Sequence, residues 1–261
     1  MGDKTVHQHT TPETYLKNFY NTEQLWVSDV NNKAKPFLRN VNDIYVNNIY
    51  EFIKNGEIVL PNFNEKEFGD MESDYPKFLK KLKRKVELGE MISEKEKEFW
   101  MIWIDLQLFR TEKTIKFFDE IAKEMFGLSK EDAHNFTNSN TIPFVGMYKS
   151  VKNGEQYDSA FKRIYDVIKK MKMRIFYIDD EREFITSDNP VIVNKLEQII
   201  FPVNSKIAFV FDYGIEGVYD CSNEYYDYIM GCTIANANRH IYSKERMRKS
   251  QIKSYRGVVT N

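Results

Sequence analysis

Between Ser93 and Phe109 the chain carries a helix signal that dictates much of what it can fold into. Ser93-Glu94-Lys95-Glu96 has the spacing of a capping box, in which the serine and the glutamate three residues later satisfy each other's free amides. The succeeding turns, through Phe99, Trp100, Ile102, Trp103, Ile104, Leu106, Leu108 and Phe109, are apolar on nearly every side. Such a helix is stable only inside a core, so the rest of the chain must supply layers around it. The material is there: 42% of the 261 residues are hydrophobic and 15% are aromatic. Disordered chains instead combine low hydrophobicity with high net charge. The length predicts one domain over 1–261, because single cores stop growing at roughly 250–300 residues.

Around the buried helix, the pattern predicts a short helix at Tyr15, Leu16 and Phe19, then a strand Leu25-Trp26-Val27 returning over Lys35 to Leu38. The asparagine-rich stretch Val41 to Phe52 reads as a packed loop. Residues 75–171 read as a helical insertion or subdomain, with further helices at Lys77–Leu88, Glu112–Phe126, Lys130–Asn135 and Tyr157–Met171. The period then changes. Arg174–Ile178, Glu183–Thr186, Val191–Val193, Ile199–Phe201 and Lys206–Phe211 are short apolar runs separated by turn residues, which places a small antiparallel or mixed sheet at about 172–215. A final helix is expected over Glu224–Lys249. Helices followed by strands make an α+β protein rather than an alternating α/β one.

Lys and Arg number 38 against 39 Asp and Glu, a net charge of −1 that provides no global field toward nucleic acid or anionic lipid. Two cysteines, Cys221 and Cys232, cannot make a disulfide framework and form no zinc motif. The N-terminal residues lack an apolar signal region and no apolar run reaches membrane-spanning length. The expectation is a cytoplasmic protein with no membrane partner.

Four polar signatures stand out against this apolar background. His9 precedes Pro12 at a turn-defined position, and imidazole can serve as acid, base or ligand near neutrality. Gln107 and Arg110 lie three apart on the greasy helix. A guanidinium there must find an anion, so Arg110 is either half of a structural ion pair or an anion-binding group in a cleft, and Asp188 is the expected partner. Ser187-Asp188-Asn189-Pro190 punctuates two buried segments. It reads either as a self-capping turn or as a carboxylate held rigidly for base or metal-ligand chemistry. Ser187 lacks the flanking glycines of a nucleophile elbow. Asn236, Asn238 and Arg239 place poor helix formers on the expected last helix, which points to side chains used in hydrogen bonding or to an exposed polar face. Lysine- and arginine-rich stretches at 77–85 and 244–256 are solvated surface or a groove for nucleic acid. No phosphate-binding loop, dinucleotide fingerprint or zinc-protease motif is present.

Taken as an ordered set, His9-x-x-Pro12-x-x-Tyr15-Leu16-x-x-Phe19, Leu25-Trp26-Val27, Gln107-x-x-Arg110-Thr111, Phe184-Ile-Thr-Ser187-Asp188-Asn189-Pro190, Phe201-Pro202-Val203 and Ile241-Tyr242-Ser243 resemble the bacterial domain-of-unknown-function family numbered 4238. Thr10-Thr11 departs from the aromatic and valine usual there. The resemblance implies a stand-alone intracellular protein, with some relatives associated with defence against phage. The expected site unites His9, Arg110 and Asp188 as catalytic groups with Gln107, Ser187, Asn189 and Asn238 as substrate-binding groups. It would hydrolyse a nucleic-acid or nucleotide phosphodiester, with Asp188 the best ligand for a divalent metal cofactor. The alternatives are a non-enzymatic sensor of a phage component or nucleotide, and a buried structural network.

Overall fold

In the computed structural model, which describes residues 7–20, 23–31, 33–47, 49–60, 63–139, 153 and 163–260, the Ser93 capping box forms as the spacing predicts. The Ser93 hydroxyl accepts from the Glu96 amide, and the Glu96 carboxylate accepts from the Ser93 amide at 2.9 Å. The capped helix, α3 (Glu94–Phe109), sits at the centre of the larger core, with Trp100, Ile102, Trp103 and Ile104 fully enclosed. It packs against α2 (Phe63–Glu87), whose Tyr75 ring lies between Trp100 and Trp103 and also meets Tyr15 of α1 (Glu13–Leu16). The basic stretch at 77–85 is the outer face of α2: Lys77, Lys80, Lys81, Lys83 and Arg84 are exposed while Leu79 and Leu82 face inward.

The other wall is a five-stranded sheet. It is built from β7 (Lys172–Tyr177), β9 (Ile192–Asn194), β10 (Gln198–Pro202), β11 (Ile207–Asp212) and β12 (Gly217–Asp220), in spatial order β12-β7-β11-β10-β9. All neighbours are antiparallel except β12 and β7, so the sheet is mixed. Its central strands β10 and β11 read as nearly unbroken apolar runs because both faces are covered. Ile199, Phe201, Phe209 and Phe211 join the core of α3, whereas Ile200, Ala208 and Val210 join a second core under α7 (Asn223–Asn236) and α8 (Lys249–Thr260). The two C-terminal helices touch closely at Gly231: a Cβ there would lie 2.5 Å from the Tyr255 carbonyl oxygen. Backbone cannot yield as a flexible side chain does, so Gly231→Ala is expected to destabilise the fold by ~1–3 kcal/mol, read as a lowered midpoint in a urea titration.

A second, four-stranded antiparallel sheet draws on both ends of the chain. It is assembled from β2 (Gln24–Asp29), β3 (Phe37–Asn40), β8 (Thr186–Ser187) and β13 (His240–Ser243), in the order β3-β2-β13-β8. Strand β1 (His7–Gln8) pairs with β4 (Val46–Asn47), and β5 (Phe52–Lys54) with β6 (Glu57–Leu60). Helices α4 (Glu112–Phe126), α5 (residues 130–139) and α6 (Arg163–Lys170) complete the described residues. Residues 157–162 of the expected Tyr157–Met171 helix lie outside them.

The architecture is α+β, with a largely helical first half, small sheets and a C-terminal helix. The expected C-terminal helix needs correction. The single helix over Glu224–Lys249 is α7, then β13, then α8. Helix α7 ends at Asn236, Ala237 is extended at φ −55 and ψ 137, and the next three amides turn to Asp188 instead of continuing the helix. Two asparagines in three positions are weak enough helix formers for that competition to succeed.

Candidate functional site

Side chains alternate across a strand, and residues opposite each other in an antiparallel pair share a face. Applied to the second sheet, Tyr242 lies opposite both Val27 and Thr186, His240 opposite Asp29, and Leu25 opposite Arg39. One face therefore collects Arg39, Val27, Tyr242 and His240, with Asp188 two residues beyond Thr186 at its edge. These five line a cavity of about 220 Å³. Thr10, Ile44, Tyr45 and Glu112 line it as well, together with Arg239. Glu112 is the first residue of α4, and Tyr45 leaves the short helical turn Val41–Asp43.

Asp188 has a defined employment. One carboxylate oxygen accepts from the Asn238 amide at 2.9 Å, and the other from those of Arg239 at 2.9 Å and His240 at 3.0 Å. The Asp188 amide in turn donates to the His240 carbonyl. This brace joins two signatures separated by about fifty residues and sets the start of β13. Burial outweighs the three amide bonds and holds the Asp188 carboxyl above the usual carboxylate range. A carboxylate offers about four lone-pair positions, and three are taken by backbone. Among the described residues no group of three or more His, Cys, Asp or Glu side chains is placed to hold a metal ion, so no ligand set is assigned to the divalent cofactor.

Three groups on the cavity remain uncommitted. Arg39 forms no ion pair among the described residues, and its guanidinium carbon lies 6.0 Å from the centre of the Tyr45 ring. Tyr242 is 3% exposed, yet its hydroxyl has no hydrogen-bond partner among the described residues and borders the cavity. Burial drives that hydroxyl's pKa far up, so it remains a donor. His240, half-buried, also has an imidazole without a hydrogen-bond partner among those residues. Burial first, then Arg239 and Arg39, lower its pKa from 6.5 against the opposing charges of Asp188 and Asp29. The ring is neutral at pH 7. The cavity's acids are more occupied than its bases: Asp188 serves three amides, and Glu112 pairs with Lys116 at 2.5 Å. Arg239 has only a 3.6 Å contact with Asp29 and is 63% exposed. Its unoccupied charge is therefore positive.

The expected Arg110–Asp188 pair is not what the fold makes. Arg110, fully buried, donates to the Glu72 carboxylate at 2.6 Å, to the His9 carbonyl at 2.6 Å and to the Tyr50 hydroxyl at 3.4 Å, and its plane lies 4.4 Å from the centre of Phe68. Helix α2 runs alongside the end of α3 and presents Glu72 there, so the nearer carboxylate takes the charge. Arg110 nevertheless stands behind the cavity wall. It holds His9, whose successor Thr10 lines the cavity, and it precedes Glu112 by two residues. His9 itself points its Nδ1 at the Ile44 carbonyl, 2.8 Å away.

The remaining expected residues knit the frame together. Gln107 is fully buried, and its amide makes no hydrogen bond among the described residues. Ser187 is buried and accepts from the Asn189 amide at 3.2 Å. Asn189 and Asn236 bond each other reciprocally, each side chain donating to the other's carbonyl at 3.0 and 2.7 Å. Asn238 contributes its backbone amide to Asp188 while its side chain is exposed. Of the expected site residues, Asp188 alone lines the cavity. Arg39, His240 and Tyr242 were missed, and the available signal was strand alternation at His240-Ile241-Tyr242, hidden by reading that segment as helix.

The profile of the family described as "Protein of unknown function (DUF4238)" matches residues 7–247. The chain belongs to the DUF4238 family. No curated protein and no solved structure matches it. In this DUF4238 protein the matched span contains every residue that lines the cavity, from Thr10 to Tyr242. No helix among the described residues is long and apolar enough to cross a membrane.

Proposed function

We propose that the cavity binds the phosphate of a nucleic-acid or nucleotide phosphodiester and hydrolyses it, with His240 as the proton-transfer group. The observation that carries this is the convergence on one small cavity of a guanidinium with no ion pair among the described residues, a buried phenol with no hydrogen-bond partner among them, and an imidazole whose pKa burial lowers. Arg39 neutralises the phosphate and the Tyr242 hydroxyl donates to a non-bridging oxygen. His240 takes a proton from water as the water oxygen bonds to phosphorus. The bond to the leaving oxygen breaks, and that oxygen receives the proton from the imidazolium. Asp188 and Arg110 are positioning residues, the first through the backbone of His240 and the second through His9. Defence against phage, the setting that the family resemblance implies, is part of the proposal.

The test is hydrolysis of bis(p-nitrophenyl) phosphate and of a single-stranded oligonucleotide by the full chain, with inorganic phosphate as competitor. Turnover inhibited by phosphate, with KM raised at least about tenfold in Arg39→Ala, as loss of a charge-assisted bond predicts, is the expected result. Absence of both turnover and phosphate binding would sink the proposal. A ligand sensor is the second reading, favoured by the commitment of the Asp188 carboxylate to three amides. Phosphate binding at Arg39 without turnover selects it.

A further inference from the structure

A cavity of about 220 Å³ lies below the ~300–1,000 Å³ of ordinary small-molecule pockets. It accommodates a phosphate and its immediate substituents, so the rest of any ligand lies across the rim, and the rim decides its class. Two rings are exposed there or beside it. Tyr45, 36% exposed, lines the cavity and stands next to the Arg39 guanidinium. Phe37, 40% exposed, lies opposite Val27 on edge strand β3, two residues before Arg39 on the same face. The cationic rim group is the exposed Arg239. A phosphopeptide or a sugar phosphate need not present a flat π-face to such rings. A nucleobase does, because every base presents a π-face, and stacking on aromatic side chains beside basic groups is how single strands are held.

Resting on the phosphate reading above, we infer that Tyr45 is a base-stacking residue and that the cavity's ligand is a nucleoside phosphate unit. Its phosphate lies on Arg39 and Tyr242, and its base on the Tyr45 ring. The sugar spans the gap between guanidinium and ring, and the neighbouring base of a strand continues toward Phe37. Tyr45 sets specificity and takes no part in bond breaking.

Calorimetric titration of the full chain with adenosine 5′-monophosphate and with ribose 5-phosphate tests this. The two probes share a phosphate and a sugar and differ by the base. Stacking predicts that the wild type binds the nucleotide about 5- to 150-fold more tightly. Tyr45→Ala is expected to abolish that advantage, bringing the two affinities together, and Tyr45→Trp to keep it. Equal affinity for the two probes in the wild type, or an advantage that survives Tyr45→Ala, overturns the stacking role and leaves the phosphate reading standing. Binding of neither probe overturns both. Thermal melts of each variant report its folding, and a partly exposed ring is not expected to move them.

Discussion

Replacing His240 by glutamine is expected to lower phosphodiester turnover by about 100- to 10,000-fold, the usual contribution of a positioned acid–base group. Glutamine retains polarity and approximate size but cannot carry a proton between water and the leaving oxygen. The backbone amide of residue 240 still donates to Asp188, so the brace at the start of β13 survives the substitution. The pH profile provides the independent check. Because His240 titrates below 6.5 in the folded protein, and only its neutral form accepts a proton, the acid limb of kcat/KM is expected to fall below pH 6.5 rather than at it. The same shift acts on stability. The unfolded chain binds this proton more readily than the folded one, so stability rises with pH through the interval between the folded pKa and 6.5. The contribution is fully present above 6.5 and is lost as pH falls through the folded value. Asp188, whose pKa is raised by burial, acts in the opposite sense at lower pH. Thermal melts of wild type and His240→Gln compared at pH 7.5 and 5.5 isolate the histidine: the acid-induced loss is smaller in the variant. Unchanged turnover in His240→Gln would remove the histidine from the mechanism.

Arg110→Ala is expected to be the most destabilising single substitution at the site. It leaves the Glu72 carboxylate, the His9 carbonyl and the Tyr50 hydroxyl without the guanidinium that three of its nitrogens now share among them, and it opens a void against the Phe68 ring. Removing one partner of a buried ion pair costs ~3–5 kcal/mol. At ~2–4 °C per kcal/mol for a chain of this size, Tm falls by about 6–20 °C. Lysine keeps the charge but cannot reproduce the forked geometry, so Arg110→Lys recovers only part of the loss. Methionine at Arg110 combined with leucine at Glu72 removes both charges together and is expected to recover more than either single change. Because Arg110 pins the segments bearing Thr10 and Glu112, activity declines with the folded fraction measured by circular dichroism. A variant that melts with the wild type would show that the clamp contributes nothing.

Several features were readable before any coordinates. The buried helix α3 announced itself through an apolar surface on all sides and a serine-glutamate cap. Four strands of the five-stranded sheet, β7, β9, β10 and β11, declared themselves as short apolar runs between turn residues, whereas the run Glu183–Thr186 supplies β8 to the other sheet and β12 lies beyond the expected sheet region. Arg110 was recognisable as a charge that needs a partner, although its choice of Glu72 over Asp188 was not. That choice depends on which carboxylate lies nearer once α2 and α3 pack, and spacing along a chain carries no such distance.

Local composition thus determined most of the helices and the central strands, that a core surrounds Trp100 and Trp103, and that several polar residues stand where burial demands partners. Only the assembled sheet decided the cavity. Arg39, Asp188, His240 and Tyr242 come from two strands and a turn drawn from distant parts of the chain. A side chain's face depends on its strand's register, and register is set by long-range pairing. Near-neighbour preferences along 261 residues encode period and propensity, but which strand lies beside which is settled by the collective burial of both sheets around two cores.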